Sequence, residues 1–305
     1  KFLDACRDGN LEVFHLMIKE SLPEGKISLT QNDDAGNCSL FKAIDIRSEP
    51  EDLGFRADKL EILNCLLEKL GNETFNSENL DIFLNNDTET ILNFAAKNLF
   101  TGAVRSILNT LNAVEIDPEK CKEYVNYKRG QYSESALSNT VKAMASKILD
   151  LEILELLLSS GANPNEIDTE GYTMIGTLVS WNAKNTEARK IIDAVDLLLR
   201  HGADIDKVGE QGIAPLMDAC ESSSSSAVNL LLKKGANPNI ASQVRKRTAL
   251  HIAATCDRPD IVALLLKHGA NIDQKRANGD TALKIACASK NQVNSAVIAS
   301  YLAQY

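Results

Sequence analysis

Residues 248–270 read TALHIAATCDRPDIVALLLKHGA. The segment divides into a Thr-x-Leu start, an Ala-rich apolar stretch, and a Leu triplet closed by Gly-Ala. Each part has a physical role in a helical hairpin. Thr248 caps a first helix by accepting from backbone N–H groups that have no partner inside the helix. Leu250 and the small Ala253 face neighbouring hairpins, where a small residue lets helices come close. Leu264, Leu265 and Leu266 form the buried face of a second helix. Gly269 ends that helix by taking a positive φ, and the Asn or Asp beyond it turns the chain into a projecting loop.

The same text recurs. LELLLSSGANPN, VDLLLRHGADID, NLLLKKGANPN and VALLLKHGANID place Gly161, Gly202, Gly235 and Gly269 at separations of 41, 33 and 34 residues. The starts are TALHIA from Thr248, TALKIA from Thr281 and APLMDA from Ala214, with weaker forms TMIGTL from Thr173, SALSNT from Ser135, TILNFA from Thr90 and CSLFKA from Cys38. The opening LDACRDGNLEVFHLMI reads as one more unit whose beginning is missing, for about eight in all. A period near 33 with this start means stacked helical hairpins. One hairpin cannot bury both its faces, so neighbours share an elongated core.

At these residues the chain resembles the ankyrin-repeat family over nearly its whole length. The resemblance is specific from Ser135 to Tyr305 and looser before Val125, where Leu70-Gly71-Asn72 and Leu111-Asn112-Ala113 replace the Gly-Ala terminator. It implies an all-α ankyrin-repeat solenoid, with divergent repeats over 1–125 and regular repeats over 126–305. Extra residues at 47–59 and 182–191 separate paired helices, and others at 73–87 and 114–124 separate units. They read either as neutral surface loops, which cost little closure entropy, or as loops that enlarge a binding surface.

Composition agrees with a helical core. Trp, Tyr and Phe together supply only 15 of 305 residues, so Leu, Ile, Ala and Val must fill the interior. Lys plus Arg is 33 against 42 for Asp plus Glu, a net charge of −9 that argues against whole-chain binding to nucleic acid or to a membrane surface. No apolar run is long enough to span a bilayer. The first residue, Lys1, falls inside a helix pattern, so the chain reads as part of a longer one. Seven scattered cysteines without a C-x-x-C pair resemble neither a disulfide framework nor a zinc site, which fits a reducing compartment. The expected location is the cytoplasm, with the nucleus as the alternative.

Signatures of catalysis are missing from the sequence: it holds no Walker loop, G-x-G-x-x-G, H-E-x-x-H or G-x-S-x-G. His201 and His268 precede Gly-Ala, and His251 belongs to the Thr-x-Leu-His start; all three read as structural. His251 and Cys256, five residues apart on one helix, point away from each other by roughly 140°. The serine run 222–226 reads as a helix end and turn. No enzyme activity, cofactor or metal is expected of these residues.

A binding role remains. The resemblance implies that partners dock on a concave face built from loop tips and first helices. Matching positions residue by residue selects Thr169, Glu170, Tyr172, Ser180 and Trp181 in one unit, and Glu210, Gln211, Ile213, Glu221 and Ser222 in the next. Two further loops supply Val244, Arg245, Lys246 and Arg247, then Lys275, Arg276, Asn278 and Asp280. Lys246 stands where glycine is usual, in a loop one residue longer than the others. Residues 243–276 hold seven Lys/Arg against three Asp/Glu inside an acidic chain. Tyr172 and Trp181 matter because aromatics dominate interface hot spots. The expected partner is a protein, through an acidic and partly apolar segment. Two wider settings fit: an effector that an intracellular bacterium delivers into the host cytoplasm, to which the irregular early repeats are similar, and the substrate-recruiting scaffold of a ubiquitin ligase or protease.

Overall fold

The computed structural model describes residues 2–20, 42–43, 53–74, 90–113, 118–128, 134–146, 150–181, 188–288 and 292–304. These residues are helical apart from turns and one isolated antiparallel bridge, Ile167 to Thr173. They divide into two compact units, residues 1–143 with 152–163, and residues 144–151 with 164–305. None of the described helices is long and apolar enough to cross a membrane.

The first unit contains α1 (Phe2–Asp8), α2 (Leu11–Glu20), α3 (Leu53–Thr74), α4 (Ile91–Lys97), α5 (Thr101–Ala113), α6 (Pro118–Val125), most of α7 (Ala136–Ser146) and most of α8 (Leu151–Ser159). Within it α1 packs on α2, α2 on α3, and α5 on both α3 and α4. All four stretches read as insertions carry helix: α3 begins at Leu53, inside 47–59, and ends at Thr74, inside 73–87; α6 occupies most of 114–124; and the helix Ala188–Arg200 begins inside 182–191. Residues 47–52, 75–87, 114–117 and 182–187 of those stretches, and Cys38, lie outside the described residues. Helix α6 is not a neutral surface loop, since it buries Tyr124 and Val125.

The second unit is a row of four hairpins: α9 (Met174–Trp181) with α10 (Ala188–Arg200), α11 (Pro215–Glu221) with α12 (Ser225–Lys233), α13 (Ala249–Thr255) with α14 (Pro259–Lys267), and α15 (Ala282–Ala288) with α16 (Gln292–Gln304). First helices pack side by side, α9 on α11, α11 on α13 and α13 on α15; second helices α12, α14 and α16 form another layer. The core between the layers is aliphatic, with Leu178, Leu197, Leu216, Leu231, Leu250 and Leu265 all buried.

The repeated residues act as the pattern requires. Thr90, Ser135 and Thr173 each accept from the backbone N–H three residues on, at 3.1, 3.0 and 3.1 Å. The four terminator glycines have φ of 91°, 88°, 93° and 83°, a conformation that costs any residue with a Cβ roughly 1–2 kcal/mol. Beyond them asparagines bridge consecutive terminators. Asn165 Nδ2 donates to the Gly202 carbonyl (2.8 Å) while its Oδ1 accepts from Asp204 N (2.7 Å). Asn239 makes the same pair with Gly269 and Asn271, at 3.0 and 2.7 Å. In the first unit Asn126 does so with Gly161 and Asn163, at 2.9 and 2.7 Å.

The fourth position of the start motif holds a second bridge. His251 Nδ1 accepts from Thr248 N (3.2 Å), and its Nε2 lies 3.3 Å from the carbonyl of Asp280, the residue before the next start. Asn93 replaces this histidine in the first unit and donates to the carbonyl of Glu134, again the residue before the next start, at 3.0 Å. The divergent early text therefore keeps the same connection with a different side chain.

Candidate functional site

The loops that precede the first helices of the second unit carry most of the sequence-selected residues, and they are stacked by their backbones. Glu210 N donates to the Gly171 carbonyl at 3.1 Å, and Ala277 N donates to the Arg245 carbonyl at 2.9 Å. Each loop is closed on itself as well: Asp168 N donates to Tyr172 O, Gly209 N to Ile213 O, Ser242 N to Arg247 O and Arg276 N to Asp280 O. The Ser242–Arg247 loop contains one residue more than the others, and Lys246 takes the positive φ of 50° that glycine takes at 171, 212 and 279. The close stacking makes Gly209 obligatory, because a Cβ there would sit 2.1 Å from the Gly171 oxygen.

Side chains fix the first of these loops to its helix. The buried carboxylate of Asp168 accepts from the N–H groups of Glu170 and Tyr172, at 2.9 Å each, and from the Thr177 hydroxyl at 3.0 Å. Thr169, Glu170 and Tyr172 are thereby held out to solvent, with Tyr172 38% exposed. Ser180 is half-buried on α9. Trp181 ends that helix, and its side chain lies outside the described residues. In the next hairpin Glu210, Gln211 and Glu221 are exposed while Ile213 and Ser222 are half-buried.

The basic loops separate into solvent-facing and tied cations. Arg245 and Lys246 are exposed beside Val244, whose 81% exposure is the largest among the described apolar side chains of its size. Arg247 is half-buried and donates to Glu221 Oε1 at 3.1 Å, and its Nε has no acceptor. Lys275 and Asn278 are exposed. Arg276 turns inward to Asp280, which also receives Asn278 Nδ2 at 2.6 Å and pairs with Lys284 Nζ at 2.5 Å. Lys284 and Arg276 beside it hold the Asp280 carboxyl well below the usual carboxylate range.

His251 has no part in this surface. Both its ring nitrogens are engaged by Thr248 and Asp280, and burial pushes its pKa down. Two thiols of the second unit are also kept from ionising: burial, above all, raises both Cys220 and Cys256. Among the described residues no three His, Cys, Asp or Glu side chains converge as metal ligands would.

Sequence reading passed over one residue of this surface, Asp218. Aligned starts place it where Thr177, Ile252 and Ile285 stand in the other hairpins, so the alignment itself carried the signal. Asp218 is 3% exposed, and burial, followed by the charges of Glu221 and Asp168, pushes its carboxyl up to about 8. Burial and the same acidic neighbours raise Tyr172.

A family model described as Ankyrin repeats (3 copies) matches residues 141–242 and 238–305, more than half of the chain. The chain belongs to the ankyrin-repeat family. It is 37% identical over 134 residues to the B-cell lymphoma 3 protein homolog of Mus musculus, covering 44% of this chain and 29% of that one. It is 40% identical over 101 residues to the Ankyrin repeat and SOCS box protein 16 of Homo sapiens, covering 33% and 22%. Identity to the putative palmitoyltransferase ZDHHC13 of Danio rerio is 29% over 137 residues, covering 45% and 20%. The chain thus spans under a third of the length of these relatives. Ankyrin repeats are protein–protein interaction modules, and the loop tips just described present exposed side chains, Tyr172, Glu210, Val244, Arg245 and Lys275 among them.

Proposed function

We propose that this ankyrin-repeat chain is a non-catalytic recognition module that holds a partner protein across the loop tips and first helices of residues 164–305. The observation that carries the reading is the exposed tip Val244-Arg245-Lys246, an apolar and doubly basic edge on a loop that backbone hydrogen bonds brace against its neighbour. The residues assigned to docking are Thr169, Glu170, Tyr172, Ser180, Trp181, Glu210, Gln211, Ile213, Arg245, Lys246, Arg247, Lys275 and Arg276. An acidic, partly apolar segment of a cytoplasmic or nuclear protein fits this edge. A bacterial effector acting on host proteins and the substrate-recruiting scaffold of a ubiquitin ligase or protease would both use this same edge.

The test identifies the partner by affinity capture and mass spectrometry, then measures its binding to Trp181→Ala and to Arg245→Ser/Lys246→Ser. Arg247 is spared because its ion pair with Glu221 is structural. Losing the Trp should weaken binding by about 2 kcal/mol or more, as hot-spot aromatics do. Losing the two exposed cations should slow association and flatten its dependence on salt. Parent-like binding by both folded variants would place the interface elsewhere.

A further inference from the structure

Asp218 is a buried charge-bearing group of the second unit with no side-chain partner among the described residues. Asp218 projects from α11, and among the described residues its carboxyl makes no side-chain hydrogen bond. The neighbouring donors are committed elsewhere: the Thr177 hydroxyl goes to Asp168 (3.0 Å) and the Arg247 guanidinium to Glu221 (3.1 Å). Gly176 on the adjoining helix leaves the space that the carboxyl occupies, since a Cβ at 176 would lie 2.5 Å from Asp218 Oδ2. Arg247 Nε is sealed from solvent without an acceptor; the Asp218 oxygens, equally unbonded, are not sealed in that way.

The charges around this carboxyl have its own sign. Glu221 on the same helix and Asp168 from the loop before α9 both act on it, and with Glu170 they act on Tyr172. A buried acid among acids opposes folding, because burial disfavours the ionised form and like charges disfavour it further. Among the described residues no side-chain donor or cation offsets that cost. A cation from outside would, and an anionic or apolar group would leave the acid as it is. A metal ion fits poorly, for lack of converging ligands among the described residues. A side chain fits better: a Lys or Arg stem can lie along the Tyr172 ring, 38% exposed, and use its face for a cation–π contact.

We propose that Asp218, with Glu221 beside it and Tyr172 at its mouth, receives a lysine or arginine side chain of the bound partner. This rests on the reading that partners dock over the loop tips and first helices, and it makes the docked segment bipolar: a cation at Asp218, acidic residues at Arg245 and Lys246.

The experiment titrates the full chain with an acetyl-Gly-Leu-Arg-Leu-Gly amide and with the same peptide carrying citrulline, which keeps arginine's shape and drops its charge. The pH is held above about 8, where the carboxyl is ionised. Amide NMR shifts and calorimetry read the binding. The arginine peptide should bind at least about tenfold more tightly than the citrulline peptide, with shifts centred on Tyr172, Gly176 and Glu221, and Asp218→Asn should erase the preference. Equal binding of the two peptides, no binding of either, a preference that survives in Asp218→Asn, or shifts centred elsewhere would each overturn the proposal. Failure here leaves the wider docking reading to its own test on Trp181 and Arg245/Lys246 with the captured partner. Failure of that test with the arginine preference intact would separate the pocket from the docking edge.

Discussion

Asn165 and Asn239 show how much one side chain does in this chain, and how much of it a local pattern can reveal. The Gly-Ala-Asn text announces a turn, and the turn forms. What the text does not announce is that the second polar residue of each turn reaches the carbonyl of the next terminator, 37 residues on for Asn165 and 30 for Asn239. That partner is visible only once the hairpins are stacked. Asp206 occupies the corresponding place in GADID and accepts from Asn237 N at 2.9 Å, but a carboxylate cannot donate to a carbonyl. Asp206→Asn should therefore add the missing bond to the Gly235 carbonyl and raise stability by about 0.5–1.5 kcal/mol. Urea unfolding of parent and variant measures it. An unchanged or lower midpoint would mean that the Gly235 carbonyl is out of reach of this side chain.

Helices were legible wherever the start motif and the Leu triplet both survive, because each residue of that text answers a need of the backbone: a cap, a buried stripe, a terminator. Helix α6 carries neither, so the sequence offered only its length as an insertion, and its burial of Tyr124 and Val125 had no local sign. Helix α11 departs from the pattern in another way. It starts at Ala214 without a side-chain cap, relies on Pro215 at its first position, and buries Asp218. A carboxyl held at about 8 when folded and near 3.8 when unfolded keeps its proton in the native state. The folded form then binds more protons than the unfolded one, so this group favours folding in acid and opposes it increasingly as pH rises. The penalty should grow from about pH 4 to about pH 8, reach a few kcal/mol, and level off above that range. Asp218→Asn removes it. Relative to the parent, the variant should gain stability as pH is raised from 5 to about 8 in parallel denaturant titrations. A difference that stays constant across that range would show that Asp218 is ionised in the native state throughout.

Within the described part of residues 164–305 the hairpins pack chiefly on their neighbours, first helix on first helix, and α14 on both α12 and α16 in the second layer. Stability in such a stack is close to a sum of hairpin terms and nearest-neighbour terms, with no single centre that every part needs. The sequence made this legible through its 33- and 34-residue spacings, whereas the docking edge was not, because it depends on which cations are tied down: Arg245 and Arg247 look alike in the text and differ by an ion pair to Glu221. The one-dimensional arrangement has a measurable consequence. Leu265 is 0% exposed in α14, in the layer where α14 lies between α12 and α16, and Leu265→Ala should cost about 2–5 kcal/mol from lost burial and the cavity left behind. That loss should not spread evenly. Hydrogen exchange followed by mass spectrometry should show protection falling most in 249–267, next in the adjoining hairpins at 215–233 and 282–304, and least in 174–200, two hairpins away. An equal loss of protection from 174 to 304 would instead mean that the four hairpins unfold as one cooperative block, and that the nearest-neighbour description does not hold for this stack.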